Sequence, residues 1–289
     1  MNNDYRQISL EGWVRVGEGA NGATYENPAD PDVLLKVNIG EFVGLEPMKV
    51  EFETSQAVAR LGLPTPAMRE LVKVGDAYGI VSERIKNKKS LFRLCHDEPD
   101  RIEEMAQLFC QYGKQLFATP CDTSRFRSRK EIALEGIRRA TYLRRKDRKT
   151  LLQFMESLPE NTHCVHGDFQ PGNLIWTDGK CYWIDLGRFA WGDPMFDIGH
   201  LYMVCNVYAR IQQARDLFHL TEAQLNAFWE AFAKAYTGQE EHADFDRKAA
   251  IFGASDVVMR AVYGEKPSFI RKIFYRIQVH GAMKTFMDV

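Results

Sequence analysis

The sequence predicts an α+β protein made of two lobes, a small strand-rich lobe followed by a larger and mainly helical one. Residues 1 to about 82 alternate short apolar runs with turns rich in Gly and Pro around a single helix-like segment, which is typical of an antiparallel sheet. Residues 83–289 repeat apolar side chains at helical spacing. A length of 289 residues also exceeds one average domain.

Composition and charge limit the classes of partner. The chain is 45% hydrophobic with a formal net charge of -1, so no overall field attracts nucleic acid or an anionic membrane, and we expect neither as a partner. The six cysteines are scattered without paired spacing, as is usual for reduced thiols. The sequence has no signal-peptide pattern and no apolar run of about eighteen residues, so we expect a cytoplasmic protein.

The elements of the first lobe follow from short local patterns. "GWVRV" and "DVLLKVN" predict strands at residues 12–16 and 32–38, joined through a connection rich in Gly and Pro. Apolar residues at helical spacing predict a helix over 46–61, which "LGLPTP" then ends. "ELVKVG" and "AYGIVSERI" predict two more strands, at 70–75 and 77–85, separated by a Gly-Asp turn.

The second lobe is predicted to be helical, with one small hairpin. Residues 98–118 place apolar side chains on one helix face. "NLIW" and "CYWID" predict two short strands around the turn "TDGK". Thr221 and Gln224 have the spacing of a capping box at the start of a helix. The other predicted helices are 127–145, 149–158, 197–212, 221–236, 245–263 and 268–286.

The first motif with chemical meaning is Gly17-x-Gly19-x-x-Gly22. The spacing fits a dinucleotide-binding turn or a glycine-rich hairpin over phosphates. A dinucleotide fold needs a helix directly after the glycines, and "ATYENPADPD" cannot form one. We therefore favour a hairpin whose backbone amides face phosphates, with an ordinary surface turn as the remaining alternative.

The second motif is Lys36, which interrupts the apolar strand "VLLKVN". Its stem is expected to be buried, so its ammonium needs phosphate oxygens or a carboxylate as a partner. Glu51 and Glu53 in the next helix are the candidates; two residues apart, they cannot share a helix face. We favour Glu51, because it leaves the downstream apolar residues on a neighbouring core face, although a solvated glutamate is the commoner case.

The third motif is "HGDFQPGN" followed by "WIDLG", which contains the oxygen-bearing residues Asp168, Asn173 and Asp185. Mg²⁺ prefers carboxylates, a carbonyl-type oxygen and substrate phosphates, so Asn173 and Asp185 suit it. Asp168 remains to accept a proton from a hydroxyl, and the Pro and Gly between Asp168 and Asn173 restrict the loop.

Each of these residues also has a plainer explanation. Asp and Asn are common in turns, and Asp-Leu-Gly can simply end a strand. His163, His166 and Asp168 could instead form the metal site of a hydrolase, although further clustered His ligands are lacking. Trp191, His200 and Tyr202 follow the third motif and could border the acceptor pocket, but such residues more often belong to the core, so we do not assign them to the site.

Together the motifs resemble those of protein kinases, and "HGDFQPGN", "IDLG" and "GDPMFDIG" are similar to the aminoglycoside phosphotransferase and choline kinase family. The resemblance spans residues 13 to 205 and is strongest over 165–199. It implies a protein-kinase-like fold in which Asp168 is the catalytic base, Asn173 and Asp185 hold Mg²⁺, and Lys36 holds the α- and β-phosphates of ATP.

The resemblance assigns further roles. Ser82, Glu83 and Ile85 belong to a hinge that contacts adenine through its backbone, and Gly17, Gly19 and Gly22 lie over the phosphates. Asp197 braces the catalytic loop, as in that family. One departure from the family's pattern is Leu186, which occupies the usual Phe position.

Two features favour a small-molecule acceptor over a polypeptide. Protein kinases carry an Arg before the catalytic Asp that pairs with a phosphate on the activation loop, and this chain has Gly167 there. Only seven residues separate Asp185 from Asp193, too few for a peptide-binding activation segment. We therefore expect a phosphotransferase that uses ATP and Mg²⁺ to phosphorylate a hydroxyl of an amino alcohol, a sugar or an aminoglycoside-like molecule.

The alternative function is a catalytically silent nucleotide-binding module, a pseudokinase that acts as a scaffold. Such a module is expected to have lost at least one of Lys36, Asp168, Asn173 and Asp185. The chain retains all four, which favours the enzyme. The oligomeric state is not predicted by the sequence.

Overall fold

In the computed structural model, the described residues are 5–19, 22–38, 44–260, 262 and 267–287. The chain divides into two compact units. The first contains residues 1–89 and 175–187, and the second contains 90–174 and 188–289. The first unit therefore continues to residue 89, beyond the expected lobe boundary at 82, and takes in a second segment of chain. The expected division of labour, nucleotide binding in 1–82 and catalysis in 83–289, remains a prediction.

The first unit contains the predicted antiparallel sheet. Its strands within the described residues are β1 (Arg6–Gln7), β2 (Val14–Gly19), β3 (Gly22–Asn27), β4 (Asp30–Asn38), β5 (Met68–Val74) and β6 (Ala77–Glu83). They lie in the order β1-β5-β6-β4-β3-β2, and neighbours pair antiparallel, except that β1 pairs parallel with β5. Residues 22–27, expected within a connection, form a full strand because β2 and β4 pair with both of its edges.

Strand β4 has the alternating pattern that places Lys36. Val33, Leu35 and Val37 are buried in a cluster with valines of β5 and β6. Because side chains alternate across a strand, Lys36 points to the opposite face of the sheet. The helix α1 (Leu45–Arg60) carries the glutamate that contacts this lysine.

The second segment of the first unit is a tight hairpin. β9 (Leu174–Thr177) and β10 (Lys180–Trp183) pair around the predicted turn "TDGK". Asp178 and Gly179 both have positive φ, 45° and 79°, as a type I′ hairpin turn requires. Asp185 lies two residues beyond the end of β10.

The second unit is mainly helical. Its helices are α2 (Leu91–Asp97), α3 (Ile102–Ala118), α4 (Arg129–Arg139), α5 (Arg145–Ser157), α6 (Met195–Tyr202), α7 (Gln212–Phe218), α8 (Glu222–Thr237), α9 (Ala243–Met259) and α10 (Phe269–Met287). The short strands β8 (Cys164–Val165) and β11 (Ala190–Trp191) pair antiparallel next to the "HGD" loop. β7 (Lys89–Ser90) precedes α2. The capping box at Thr221 and Gln224 is confirmed by reciprocal hydrogen bonds.

Helices α6 and α9 approach each other closely because glycines face each other at their crossing. A Cβ on Gly199 would lie 2.5 Å from the backbone nitrogen of Gly253, so neither position has room for a side chain. α9 also packs against α4, where a Cβ on Gly136 would lie 2.7 Å from the carbonyl oxygen of Val258. These contacts bring polar side chains of three helices together in the interior.

Some helix bounds differ from the prediction. The segment 197–212 is not one helix: α6 ends at Tyr202 and continues as a π-helical turn, Met203–Val207, and a short 3-10 turn. α2 and α7, each one to two turns long, were not predicted. The expected helix over 245–263 reaches residues 261 and 263, which lie outside the described residues. Within the described chain, no helix combines the length and the apolar character needed to cross a membrane.

Candidate active site

The glycine motif lies on a hairpin, as the sequence favoured. β2 and β3 pair as far as Gly19 opposite Gly22, and residues 20–21 between them lie outside the described residues. A Cβ on Gly17 would meet the Thr24 hydroxyl at 2.6 Å, and one on Gly22 would meet the Val37 carbonyl at 2.9 Å. A strand therefore follows the glycines where a dinucleotide-binding fold requires a helix.

Lys36 is paired with Glu51. Its Nζ donates to both carboxylate oxygens of Glu51, at 2.7 and 2.9 Å, whereas the carboxylate of Glu53 lies 3.9 Å from Lys49. The Lys36 side chain is 29% exposed, so it is held in place without being fully buried. Burial lowers the pKa of Lys36, but the carboxylates of Glu51 and Asp185 outweigh it and raise the pKa, which keeps the ammonium charged.

Asp185 completes a cluster of three charged side chains in the first unit. Its Oδ1 lies 3.6 Å from Lys36 Nζ, and its side chain is 54% exposed. Its φ of 60° lies in the left-handed region, which is uncommon for a residue with a side chain and is found at functional sites. One ammonium thus lies beside two carboxylates, and one of those carboxylates faces largely outward.

The expected adenine hinge lies at the end of β6. Ser82 and Ile85 are buried, and Glu83 is half-buried. The N–H groups of Glu83 and Arg84 already donate to the carbonyls of Ala67 and Asp32, at 2.8 and 3.0 Å. Any contact with adenine from this segment must therefore use other backbone groups, such as the carbonyls or the Ile85 N–H.

In the second unit, the Asn173 side chain is hydrogen-bonded to Asp168. Its Nδ2 donates to the backbone carbonyl of Asp168 at 2.9 Å and to Oδ2 of the same residue at 3.0 Å. Both partners are acceptors, which fixes the orientation of the amide. Its oxygen therefore points away from Asp168, where it can serve a cation.

Asp197 braces the "HGD" loop, as the resemblance implied. Its two carboxylate oxygens accept from the backbone N–H groups of His166 and Gly167, at 2.5 and 2.8 Å. Gly167 has a φ of 83°, and a Cβ there would overlap the carbonyl of Arg188. The loop therefore has no room for the Arg that protein kinases carry at this position.

A network of three polar residues leads from Asp168 into the interior, and none of the three was included in the predicted site. His200 Nε2 lies 3.0 Å from Asp168 Oδ1, and His200 Nδ1 lies 3.0 Å from Asp256 Oδ2. Arg129 Nη2 then lies 3.3 Å from Asp256 Oδ1 and donates to the Gly167 carbonyl at 3.0 Å. The sequence signal that could have revealed this network is Asp256, the single acid in the apolar helix segment "IFGASDVVM", because a buried acid needs a partner.

The charges of this network depend on one another. Burial opposes the charged form of His200, but the carboxylates of Asp256 and Asp168 outweigh it and raise the pKa of His200 to about 9. Burial likewise opposes ionisation of Asp168 and Asp256, but contacts with His200 hold the pKa of each below its usual range. At neutral pH the network therefore contains an imidazolium between two carboxylates.

The alternative of a hydrolase metal site gains no support from the described residues. The part of the chain that the structure describes contains no group of three or more His, Cys, Asp or Glu side chains placed to hold a metal ion. His163 Nδ1 instead lies 2.8 Å from the Asn161 side-chain oxygen, and His166 Nδ1 accepts from the Asp168 N–H at 3.3 Å.

The fold places the protein in the protein-kinase-like class, with its antiparallel sheet and helical unit. A sequence model of the phosphotransferase enzyme family, abbreviated APH, matches residues 16–245. The chain belongs to this family. No curated protein sequence matches the chain.

Solved structures of related enzymes share this fold at low sequence identity. A thermostable mutant of aminoglycoside phosphotransferase APH(4)-Ia, in ternary complex with AMP-PNP and hygromycin B, has a TM-score of 0.64 and 14% identity, covering 96% of this chain and 95% of that chain. ADP-bound aminoglycoside phosphotransferase APH(2'')-Ib has a TM-score of 0.61 and 17% identity, covering 95% and 94%. A choline/ethanolamine kinase family protein from Mesorhizobium loti has a TM-score of 0.58 and 13% identity, covering 94% and 88%.

Proposed function

We propose that the protein is an enzyme that transfers the γ-phosphate of ATP to a hydroxyl group of a small molecule, with Mg²⁺ as cofactor. The observation that carries the proposal is the arrangement of Asp168. Its carboxylate is bonded to Asn173 and lies on a loop that Asp197 braces through two backbone N–H groups. A carboxylate fixed in this way suits the orientation of an attacking hydroxyl.

The first unit supplies groups for the nucleotide. Lys36 is held by Glu51 and kept charged, so its ammonium suits the α- and β-phosphates. The hairpin of Gly17, Gly19 and Gly22 leaves its backbone free of bulky side chains, which suits contact with phosphates. ADP and AMP-PNP are bound in structures of the same fold, which supports ATP as the donor.

Two residues suit Mg²⁺. The amide oxygen of Asn173 is turned away from Asp168, and the carboxylate of Asp185 is more than half exposed. A carboxylate and an amide oxygen are hard ligands of the kind that Mg²⁺ takes together with substrate phosphates. When bound, the ion would neutralise charge on the phosphates during transfer.

The protein contributes little covalent chemistry to the transfer. The acceptor's O–H donates to Asp168, the hydroxyl oxygen bonds to the γ-phosphorus, and the bond from that phosphorus to the β,γ-bridging oxygen breaks, giving ADP. The hydroxyl proton passes to the Asp168 carboxylate. Because contacts with His200 lower the pKa of Asp168, this residue is ionised before the transfer and accepts the proton only late, so its main task is to orient the hydroxyl.

The acceptor is proposed to be a small molecule. Gly167 leaves no room for the phosphate-sensing Arg of protein kinases, and only residues 186–192 lie between Asp185 and Asp193. An aminoglycoside phosphotransferase of the same fold was solved with hygromycin B, which makes aminoglycosides one class to test beside amino alcohols and sugars.

The test combines nucleotide binding with a transfer assay. Mg-ATP is expected to raise the melting temperature, and a screen of amino alcohols, sugars and aminoglycosides is expected to reveal one phosphorylated class. Asp168→Asn is the control variant. It is expected to bind Mg-ATP as the wild type does and to lose turnover by about a thousandfold, within the range for a lost acid–base group.

The scaffold alternative predicts a different result. A silent nucleotide-binding module would be stabilised by Mg-ATP and would transfer phosphate to none of the acceptors. Transfer by the wild type at the same rate as Asp168→Asn would instead contradict the role of Asp168.

A further inference from the structure

A chain of charged side chains runs through the interior of the second unit to the catalytic loop. It begins at Arg129 in the first turn of α4, passes through Asp256 of α9 and His200 of α6, and ends at Asp168. The side chains of Arg129, Asp256 and His200 are only 1%, 2% and 5% exposed. Water cannot solvate these groups, so each depends on its neighbour in the chain.

The two carboxylate oxygens of Asp168 are held from different directions. Oδ2 accepts a hydrogen bond from Asn173, and Oδ1 lies 3.0 Å from His200 Nε2. The contact with His200 is an ion pair whose geometry departs from that of a linear hydrogen bond. Because two separate points restrain one carboxylate, the group cannot rotate about the bond to its Cβ without losing one of them.

The His200 ring is itself fixed by the structure around it. Nδ1 is bonded to Asp256, which lies beside Arg129, and Arg129 donates to the carbonyl of Gly167, the residue before Asp168. The network therefore returns to the catalytic loop and restrains both its backbone and its reactive side chain. The close packing of α6 against α9 at Gly199 and Gly253 sets the distance from His200 to Asp256.

We propose that His200 is a positioning residue for the phosphotransfer: it holds Oδ1 of Asp168 so that the carboxylate faces the acceptor hydroxyl. This inference rests on the proposed function, because it assigns Asp168 to the hydroxyl. His200 acts through Asp168 and contacts no substrate in this scheme. A displacement of about 1 Å at a reacting group can lower turnover by about a hundredfold, so loss of this contact should be visible in kcat.

Two substitutions of His200 separate its two contacts. In His200→Asn, the amide nitrogen takes the position of Nδ1, so the contact with Asp256 is kept. The shorter side chain does not reach Asp168, so that contact is lost. The longer side chain in His200→Gln places its amide nitrogen near the position of Nε2, so it can still reach Asp168. We expect kcat to fall tenfold to a hundredfold, on the order given for such displacements, in His200→Asn and much less in His200→Gln. The KM for ATP should be unchanged in both variants.

His242 provides a matched control. Its ring nitrogens also lie between two carboxylates, 2.9 Å from Asp246 Oδ1 and 3.0 Å from Glu230 Oε2. His242→Asn removes the same chemical group from a similar setting that does not include Asp168. It is expected to change the melting temperature and to leave kcat per folded molecule within about twofold, as for a change away from the reacting groups.

Every outcome of this experiment bears on the inference. A fall in kcat with constant KM in His200→Asn, and recovery in His200→Gln, supports it, whereas an equal fall in both variants overturns it. Equal kcat in the wild type and His200→Asn overturns it and leaves the proposed function intact. No transfer by the wild type to any acceptor overturns the proposed function and this inference together. Mg-ATP binding reports the folded fraction; if His200→Asn does not fold, His200→Ala takes its place, and wild-type kcat in that variant overturns the inference.

Discussion

Two groups of charged side chains, one in each unit, show opposite designs. In the first unit, Lys36, Glu51 and Asp185 pair a cation with carboxylates and remain partly exposed, Asp185 at 54%. In the second unit, Arg129, Asp256 and His200 also pair cations with a carboxylate, yet almost no surface of these side chains reaches solvent.

Under the proposed function, the two groups have different tasks, which matches this difference in exposure. Partly exposed charges keep some interaction capacity for a ligand, because water can be replaced by phosphate or a cation. Buried charges already interact with one another, so they have no such capacity left for a ligand. They instead hold a loop in one conformation. We therefore propose that the first group is arranged for ligands and the second for positioning Asp168. Substitutions that affect one group and spare the other test this view.

The largest expected effect is on stability, from Asp256→Asn. The substitution removes the carboxylate that Arg129 and His200 share in the interior. Breaking a buried ion pair by removing one partner costs about 3–5 kcal/mol, because a charge remains without compensation. Chemical denaturation should show this loss in the free energy of unfolding. A loss below about 1 kcal/mol, the value of a surface ion pair, would remove the contrast between the two groups.

The next largest effect on stability is expected from Gly167→Ala, because the "HGD" loop is crowded at this position. In Gly167→Ala the new methyl group would overlap the carbonyl of Arg188, and φ is 83°. We expect a loss of roughly 3 kcal/mol in the free energy of unfolding, from backbone strain and overpacking together. Gly179→Ala is the matched control in the first unit, where φ is 79° and the position is open. It should cost about 1 kcal/mol, and equal losses in the two variants would contradict the crowding.

Because His200 is charged at neutral pH, we expect the free energy of unfolding to depend on pH, with an effect of intermediate size. Its pKa is raised to about 9 in the folded protein, from an ordinary value of 6.5. The stabilisation from its proton is therefore complete below pH 6.5 and is lost as the pH rises through about 9. The loss should be roughly 3 kcal/mol in the wild type. His200→Gln should lack this loss, which parallel denaturation curves between pH 6 and 10 would reveal.

The smallest effect is expected in the first unit. Glu51→Gln removes the charge that holds the Lys36 ammonium, so kcat/KM for ATP should fall about tenfold, equivalent to one charged hydrogen bond. Glu53→Gln is the matched control, since Glu53 lies beside Lys49. It should stay within about twofold. Stability should change little in either variant, because these side chains are partly exposed.

Much of the fold was predictable because its signals are local. The alternation of Val33, Leu35 and Val37 in β4 predicts a strand with one apolar face and places Lys36 on the other. The spacing of Thr221 and Gln224 predicts a helix start, and the Asp-Gly pair predicts the turn between β9 and β10. These features depend on a few neighbouring residues, so a sequence displays them directly.

Features that depend on distant residues were harder to predict. The strand β3 was obscured by Gly22 at its start and by Pro28 just after its end, and its pairing partners on both sides decide its state. The interruption after Tyr202 has no Pro or Gly to announce it. His200, interpreted as a core residue, is indeed buried, but its two carboxylate partners lie 32 and 56 positions away, as residue numbers 168, 200 and 256 show.

The sequence by itself determined most of the strands and longer helices, the motifs of the phosphotransferase enzyme family, and which side chains carry oxygen or charge. These follow from residue type and short spacing. Only the tertiary structure decided that Glu51 meets Lys36 and that His200 and Asp256 stand behind Asp168. The reason is physical: a buried charge is stable only beside a partner, and the packing of whole helices, here α6 against α9, decides which distant residue that partner is.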